Sequence, residues 1–210
     1  MISNGESEKQ LIRQIHLLER KHFPEFADEK EYVDPTKKYV YFSPTYLLDR
    51  GLLDINGLLN IVHSNKSLLS VGSGKAYFEQ MLVLLGAQKS QIVLSDIDPT
   101  VLPAQYTSQT FDMTGRWPNF PQKFDYIIFP ESLVGILEKY KDRKSEEYIE
   151  ALAQCLKNAL RLLKPGGEIR AVSWFLANER EYIKKYLAYD EVDIQADTFE
   201  LIVIKSRKSD

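Results

Sequence analysis

The chain has 210 residues, 44% of them hydrophobic, enough for one domain with a substantial core and too few for two. Lysine and arginine number 27 against 30 aspartates and glutamates, a net charge of -3 that argues against a general binder of phosphate backbones. With Cys155 as the single cysteine, an internal disulfide and a cysteine-rich metal site are both excluded.

The first residues, Met1 to Ser7, carry no basic region followed by an apolar run, and no later stretch approaches the length of a membrane span. The expectation is a cytoplasmic protein. Cys155 lies among Ala151, Leu152, Ala153 and Leu156, a setting for a small buried side chain rather than a nucleophile. His16, His22 and His63 have no histidine or carboxylate at ligand spacing, so no metal site is expected.

Ser7-Glu8-Lys9-Gln10 has the form of a capping box, and Leu11, Ile12, Ile15 and Leu18 follow at helical spacing, which predicts a first helix up to about Pro24. Aromatic and charged residues then mix around Pro24 and Pro35, which reads as a connection packed on the body of the domain. Ser43-Pro44 starts another helix that Gly51 ends, and a further helical segment carries Leu58, Leu59, Ile61 and Val62. Residues 1–66 therefore form a helical extension without a catalytic motif. Its aromatics Tyr39, Tyr41, Phe42 and Tyr46 suit a pocket mouth or, more readily, core packing.

From residue 67 to 210 the pattern becomes alternating strands and helices, the mark of an α/β sheet. Leu68-Leu69-Ser70-Val71 is an apolar run of strand length that ends in Gly72-Ser73-Gly74, then opens into a helix through Phe78, Met81 and Leu82 that stops at Gly86. Two glycines spaced by one residue allow a sharp turn and a close approach to a ligand, with the first amides of the helix aimed at it. A second strand, 91–95, ends in Asp96-Ile97-Asp98, and a weaker third precedes Asp112. A fourth, 124–129, ends at Pro130-Glu131-Ser132. Ser145 caps a long helix through Leu163 that Pro165-Gly166-Gly167 terminates, followed by a fifth strand at 168–174 and a helix at 179–187. Segments 192–196 and 199–205 flank a turn at Asp197-Thr198, so the sheet is expected to finish in an antiparallel hairpin.

Ligands on open parallel sheets bind beyond the carboxyl ends of the strands, where strand order reverses. Every inner strand offers a group there. The glycine turn offers main chain, and Asp96 can accept two hydrogen bonds from a ribose diol. The Asp112-Met113 loop can meet the edge and face of an adenine, and Pro130 and Glu131 follow the fourth strand.

Together Ser70-Val71-Gly72-Ser73-Gly74, Leu94-Ser95-Asp96-Ile97-Asp98, Phe111-Asp112-Met113, Lys123-Phe124-Asp125-Tyr126-Ile127-Ile128 and Leu162-Leu163-Lys164-Pro165-Gly166-Gly167 resemble the successive motifs of the class I S-adenosylmethionine-dependent methyltransferases. The resemblance covers residues 67–205. It implies a Rossmann-like α/β fold with a mostly parallel seven-stranded sheet and a C-terminal antiparallel hairpin, preceded here by the helical extension. It also implies S-adenosyl-L-methionine as cofactor, with its amino acid end at Ser70, Gly72, Ser73 and Gly74. The ribose would lie at Asp96 and Ile97, the adenine at Asp112 and Met113, and Pro130 would complete the site. Two positions depart from the family pattern: Ser70 stands where an acid that orients the methionine ammonium is usual, and Ala76 where a third glycine is usual. Alanine still permits close packing of helix on strand, and another carboxylate, Glu131 for instance, is available to replace the missing acid.

The acceptor does not follow from cofactor motifs, because a sulfonium donor is already activated and the protein has mainly to align the nucleophile. Glu131 is the first candidate for a substrate-facing acid or base, with cofactor contact or a helix-terminal charge as its other readings; Tyr77 and Trp174 are candidate pocket walls. A small-molecule acceptor is expected, since no Asn-Pro-Pro-Tyr type signature follows the fourth strand. Val71-Gly72-Ser73-Gly74 with Asp96-Ile97-Asp98 and Ser132-Leu133-Val134-Gly135 is also similar to the nicotianamine synthases, which use the same cofactor as an aminocarboxypropyl donor. A module that binds without turnover is a further reading, motivated by Ser70 and Ala76. Tyr140 and Lys144 have the spacing of a short-chain dehydrogenase pair, but their charged surroundings read as a solvated loop.

Overall fold

The computed structural model describes residues 4–26, 29–36, 39–173, 175, 177–187, 192–195 and 201–207. In chain order the elements are α1 (Asn4–His22), β1 (Glu31–Val33), β2 (Val40–Phe42), α2 (Pro44–Asp49), α3 (Ile55–His63), β3 (Leu68–Val71), α4 (Tyr77–Leu84), β4 (Ile92–Asp96), β5 (Thr107–Thr110), β6 (Phe124–Pro130), α5 (Val134–Tyr140), α6 (Glu146–Arg161), β7 (Leu163–Val172), α7 (Ala177–Leu187), β8 (Val192–Gln195) and β9 (Leu201–Ser206).

A seven-stranded sheet has the order β5-β4-β3-β6-β7-β9-β8. β5, β4, β3, β6 and β7 pair in parallel, and β9 joins antiparallel to both β7 and β8. The mostly parallel sheet with a closing antiparallel pair is therefore present, although the predicted turn at Asp197-Thr198 lies outside the described residues. The chain leaves β3 toward β4 and β5, then returns to the other side of β3 as β6. That reversal opens a crevice between the ends of β3 and β6.

Side chains alternate across the central strands as the pleat requires. Leu69, Val71, Ile127 and Phe129 enter one core with Leu152, Leu156, Ile183 and Leu187 from α6 and α7. Leu68, Leu94 and Ile128 enter the opposite core with Ile15, Leu47, Leu58, Phe78 and Leu82, so α1 to α4 cover that face. Cys155 is buried in the first core, where burial pushes its thiol far above the ordinary range. No helix of the described residues is long and apolar enough to cross a membrane.

At the amino-terminal strand ends, Asp125 accepts from Lys164 Nζ at 2.7 Å, Lys66 Nζ at 2.9 Å and the Ser67 amide at 2.9 Å. Burial alone would raise this carboxyl, but these donors outweigh it and hold it well below the ordinary carboxylate range. The Lys-Pro-Gly-Gly step thus ties β7 to β6 at the end away from the crevice.

Several local expectations are corrected. α1 begins at Asn4, upstream of Ser7, so the Ser7 to Gln10 pattern lies inside the helix; Gly5 alone, at about 1 kcal/mol, does not stop it. The N-terminal third is not wholly helical, because β1 and β2 pair antiparallel through Tyr32 and Tyr41. The alternation that makes this hairpin was hidden by interspersed charge, and Asp34 turns the chain by accepting from the Thr36 amide at 2.9 Å. Leu163 belongs to β7 rather than to α6, since its strand partner is Phe124. The segment read as a solvated loop at Lys139-Tyr140 is the end of α5. By contrast, the Ser43 and Ser145 hydroxyls cap α2 and α6 by accepting from the amides of Tyr46 and Tyr148, each at 3.1 Å.

Candidate cofactor and substrate site

A cavity of about 860 Å³ lies at the carboxyl ends of β3, β4 and β6, within the span of small-molecule sites, roughly 300–1,000 Å³. Its lining includes Gly72, Ser73, Gly74, Asp96, Ile97, Asp112, Met113, Pro130 and Glu131, so the sheet brings these predicted residues to one place. Ser70 is the exception. It is fully buried behind the turn and is not part of the lining.

The glycines are required first by the protein itself. Gly72 and Gly74 have φ of +70° and +52°, and a Cβ on Gly72 would stand 2.3 Å from Ser132 Cβ. A Cβ on Gly74 would meet the Tyr41 ring at 2.5 Å. The turn amides are also engaged: Gly72 and Ser73 donate to the Ser95 carbonyl at 2.8 and 2.9 Å, and Ala76 donates to the Ser73 carbonyl at 2.8 Å. Gly74 donates to Asp96 Oδ2 at 2.9 Å. The expected cradle of ligand-facing amides is thus partly satisfied by neighbouring acceptors.

Asp96 ends β4, where its Oδ1 also accepts from the Asp98 amide at 3.0 Å. Each carboxylate oxygen can accept more than one bond, so these amides fix the group and leave acceptor capacity toward the cavity. Ile97 beside it is 65% exposed, an apolar face at the cavity wall for a flat ring to cover. Asp112 accepts from the Thr114 amide at 2.8 Å and pairs with Lys139 Nζ at 2.9 Å. Burial raises its carboxyl, but these donors prevail and the net shift is downward. The Met113 methyl lies 3.3 Å from where a Gly72 Cβ would be, and its carbonyl accepts from Trp117 Nε1 at 2.9 Å.

Glu131 is 8% exposed and sits at φ +61°, a left-handed conformation that a non-glycine residue adopts at a cost of about 1–3 kcal/mol. Its amide holds the kink by donating to the carbonyls of Phe129 and Val172 at 3.0 and 3.1 Å. The Ser132 hydroxyl donates to the Val71 carbonyl, which fastens the end of β6 to the glycine turn.

The sequence reading left the N-terminal aromatics between a pocket mouth and core packing, and it missed Glu79. Tyr39, Tyr41 and Phe42 line the cavity, so the N-terminal hairpin forms part of its wall; Tyr46 instead stacks on Phe42 outside it. The Tyr41 hydroxyl is buried with no hydrogen-bond partner among the described residues, and burial together with Asp34 and Asp96 pushes its phenol well above the ordinary range. Glu79, the only charged residue of α4, is 1% exposed and also contributes to the wall. Burial pushes its carboxyl up to about 7. A lone acid in an apolar helical segment was the signal available in the sequence. Tyr77 lines the cavity as expected, whereas Trp174 lies outside the described residues. Neither Tyr140 nor Lys144 is in the lining.

No protein-family model matches the sequence, and no curated protein matches it. Solved structures do. The sugar N-methyltransferase KedS8 from Streptoalloteichus sp ATCC 53650 superposes with a TM-score of 0.53 at 12% identity, over 72% of this chain and 84% of that one. CalS10, an amino pentose methyltransferase from Micromonospora echinaspora solved with S-adenosylmethionine bound, gives 0.53 at 11% identity over 80% and 98%. DesVI from Streptomyces venezuelae gives 0.50 at 11% over 71% and 86%.

The fold is that of the class I methyltransferases. Within this methyltransferase fold, Ala76 takes the position of the usual third glycine at φ +56°, with no side chain capping α4. The departure is thus a backbone matter as well as one of packing: an L-residue there carries roughly 1–2 kcal/mol of strain that glycine would not.

Proposed function

We propose that the protein is an S-adenosyl-L-methionine-dependent methyltransferase acting on a small-molecule acceptor. The observation that carries this reading is the meeting, in one cavity at the strand-order reversal, of a fixed carboxylate at Asp96 and the exposed apolar face of Ile97. The residues present fit such a cofactor. Asp96 retains acceptor capacity for a ribose diol, Ile97 with the Asp112-Met113 loop suits an adenine, and the Tyr41 hydroxyl is an orphaned donor in the wall. Gly72, Ser73, Gly74 and Pro130 shape the space left for the amino acid end.

When bound, the cofactor supplies an activated methyl group. The chain's own part is then to exclude water, align the acceptor and take up its proton. Glu131, held by its kinked backbone at the end of β6, is the residue we place against the acceptor. The relatives named for sugar and amino pentose methylation support an acceptor of that size.

The test is calorimetry with S-adenosylmethionine, followed by product analysis after incubation with a small-metabolite library. Binding together with release of S-adenosylhomocysteine is expected. Methylthioadenosine as the product would favour aminocarboxypropyl transfer, binding without either product would favour a non-catalytic module, and no binding at millimolar ligand would end all cofactor-dependent readings.

A further inference from the structure

We propose that Glu79, from helix α4, is the anionic partner of a primary ammonium in the ligand, taking over the charge that the strand residue Ser70 lacks. The proposal rests on the cofactor reading above and extends it to a residue of the cavity wall.

The charges around the cavity are unevenly paired. Its lysine and arginine neighbours are each held by another acid: Lys75 by Asp34 at 2.8 Å, Lys139 by Asp112 at 2.9 Å and Arg143 by Glu179 at 2.7 Å. Glu79 has no such ion pair among the described residues, and its Oε1 is buried without a hydrogen-bond partner. The Ser70 hydroxyl is likewise buried and unpartnered; it lies close enough to oppose the rise of the Glu79 carboxyl without meeting hydrogen-bond geometry. The ionisable group facing Glu79 from the segment before β5 is Tyr106, whose buried phenol is itself pushed up to about 12 and supplies no positive charge.

A buried carboxyl oxygen and a buried hydroxyl that both lack a partner are expensive, and a ligand group that reaches them would offset that cost. What this pair lacks is a donor carrying positive charge. Burial pushes this carboxyl up toward its protonated form, so an arriving ammonium would favour its ionised form and expel a proton. Glu131 lies at the β6 side of the cavity, where the reading above sets it against the acceptor.

The experiment is isothermal titration calorimetry of the full chain with S-adenosylhomocysteine and with its analogue lacking only the α-amino group. Glu79→Gln is expected to weaken the first ligand about 10–100-fold, the loss of one charge-assisted contact, and to leave the second unchanged. The unaltered protein titrated at about pH 6 in buffers of different ionisation enthalpy is expected to release protons with the first ligand and not with the second. Equal affinity of Glu79→Gln for S-adenosylhomocysteine, equal loss of both ligands, or no proton release by the unaltered protein would overturn the assignment while leaving the cofactor reading intact. Failure of the unaltered protein to bind either ligand would overturn that reading and this one with it.

Discussion

The Gly74 amide and the Asp96 carboxylate are joined by a hydrogen bond of 2.9 Å, so the glycine turn and the acid of the next strand form one unit. Asp96→Ala removes this acceptor and the one used by the Asp98 amide. Cofactor affinity is expected to fall by about one to two orders of magnitude, with a lowered melting temperature from the lost turn contacts. Calorimetry reads the first effect and thermal denaturation the second; an unchanged affinity would remove Asp96 from the ribose.

Ala76→Gly tests the backbone strain at the start of α4, where φ is +56°. Relief of the left-handed conformation outweighs the added freedom of the unfolded chain, so stabilisation by about 0.5–1 kcal/mol is expected in denaturant titrations. A destabilised variant would show that the turn tolerates the methyl group better than its dihedral angle suggests.

Gly72→Ala acts in the opposite direction. The new Cβ would press on Ser132 Cβ at 2.3 Å, an atom next to the backbone with little room to move, and would sit at a positive φ. We expect a loss of at least about 2 kcal/mol, measured by chemical denaturation, and a cavity too distorted to bind cofactor.

Stability should depend on pH through two acids with opposite signs. The Glu79 carboxyl, raised by burial from 4.5 to about 7, keeps a proton in the folded state that the unfolded chain has already released between those values. Its contribution is therefore full at low pH and is lost as pH rises through that interval. Glu79→Gln should gain melting temperature relative to the parent on going from about pH 5 to about pH 8. A constant difference across that range would contradict the burial of this group.

Asp125 behaves conversely, because Lys164, Ser67 and Lys66 hold its carboxyl below the ordinary 3.8. Its contribution is present above that value and disappears as the protein is acidified below it. Asp125→Asn should be less stable than the parent at neutral pH and should lose less on acidification, as read by melting temperature against pH.

The class of fold and most residues of the candidate site's lining were legible in the sequence because both are written in local patterns. Apolar runs of strand length, the glycines after Val71 and the acid after β4 report burial and turning chemistry at single positions. The short hairpin at Glu31–Val33 and Val40–Phe42 was not legible, since its charges hide the alternation and its Tyr41 packs beside Gly74 and Tyr77, far along the chain. Nor was the burial of Ser70 and Glu79. Their sequence neighbours report only that one departs from a motif and the other is a charge in an apolar helix. Only the folded interior brings the Ser70 hydroxyl and the Glu79 Oε1 together, buried and with no hydrogen-bond partner among the described residues, because desolvation and pairing are properties of the assembled interior rather than of the residues themselves.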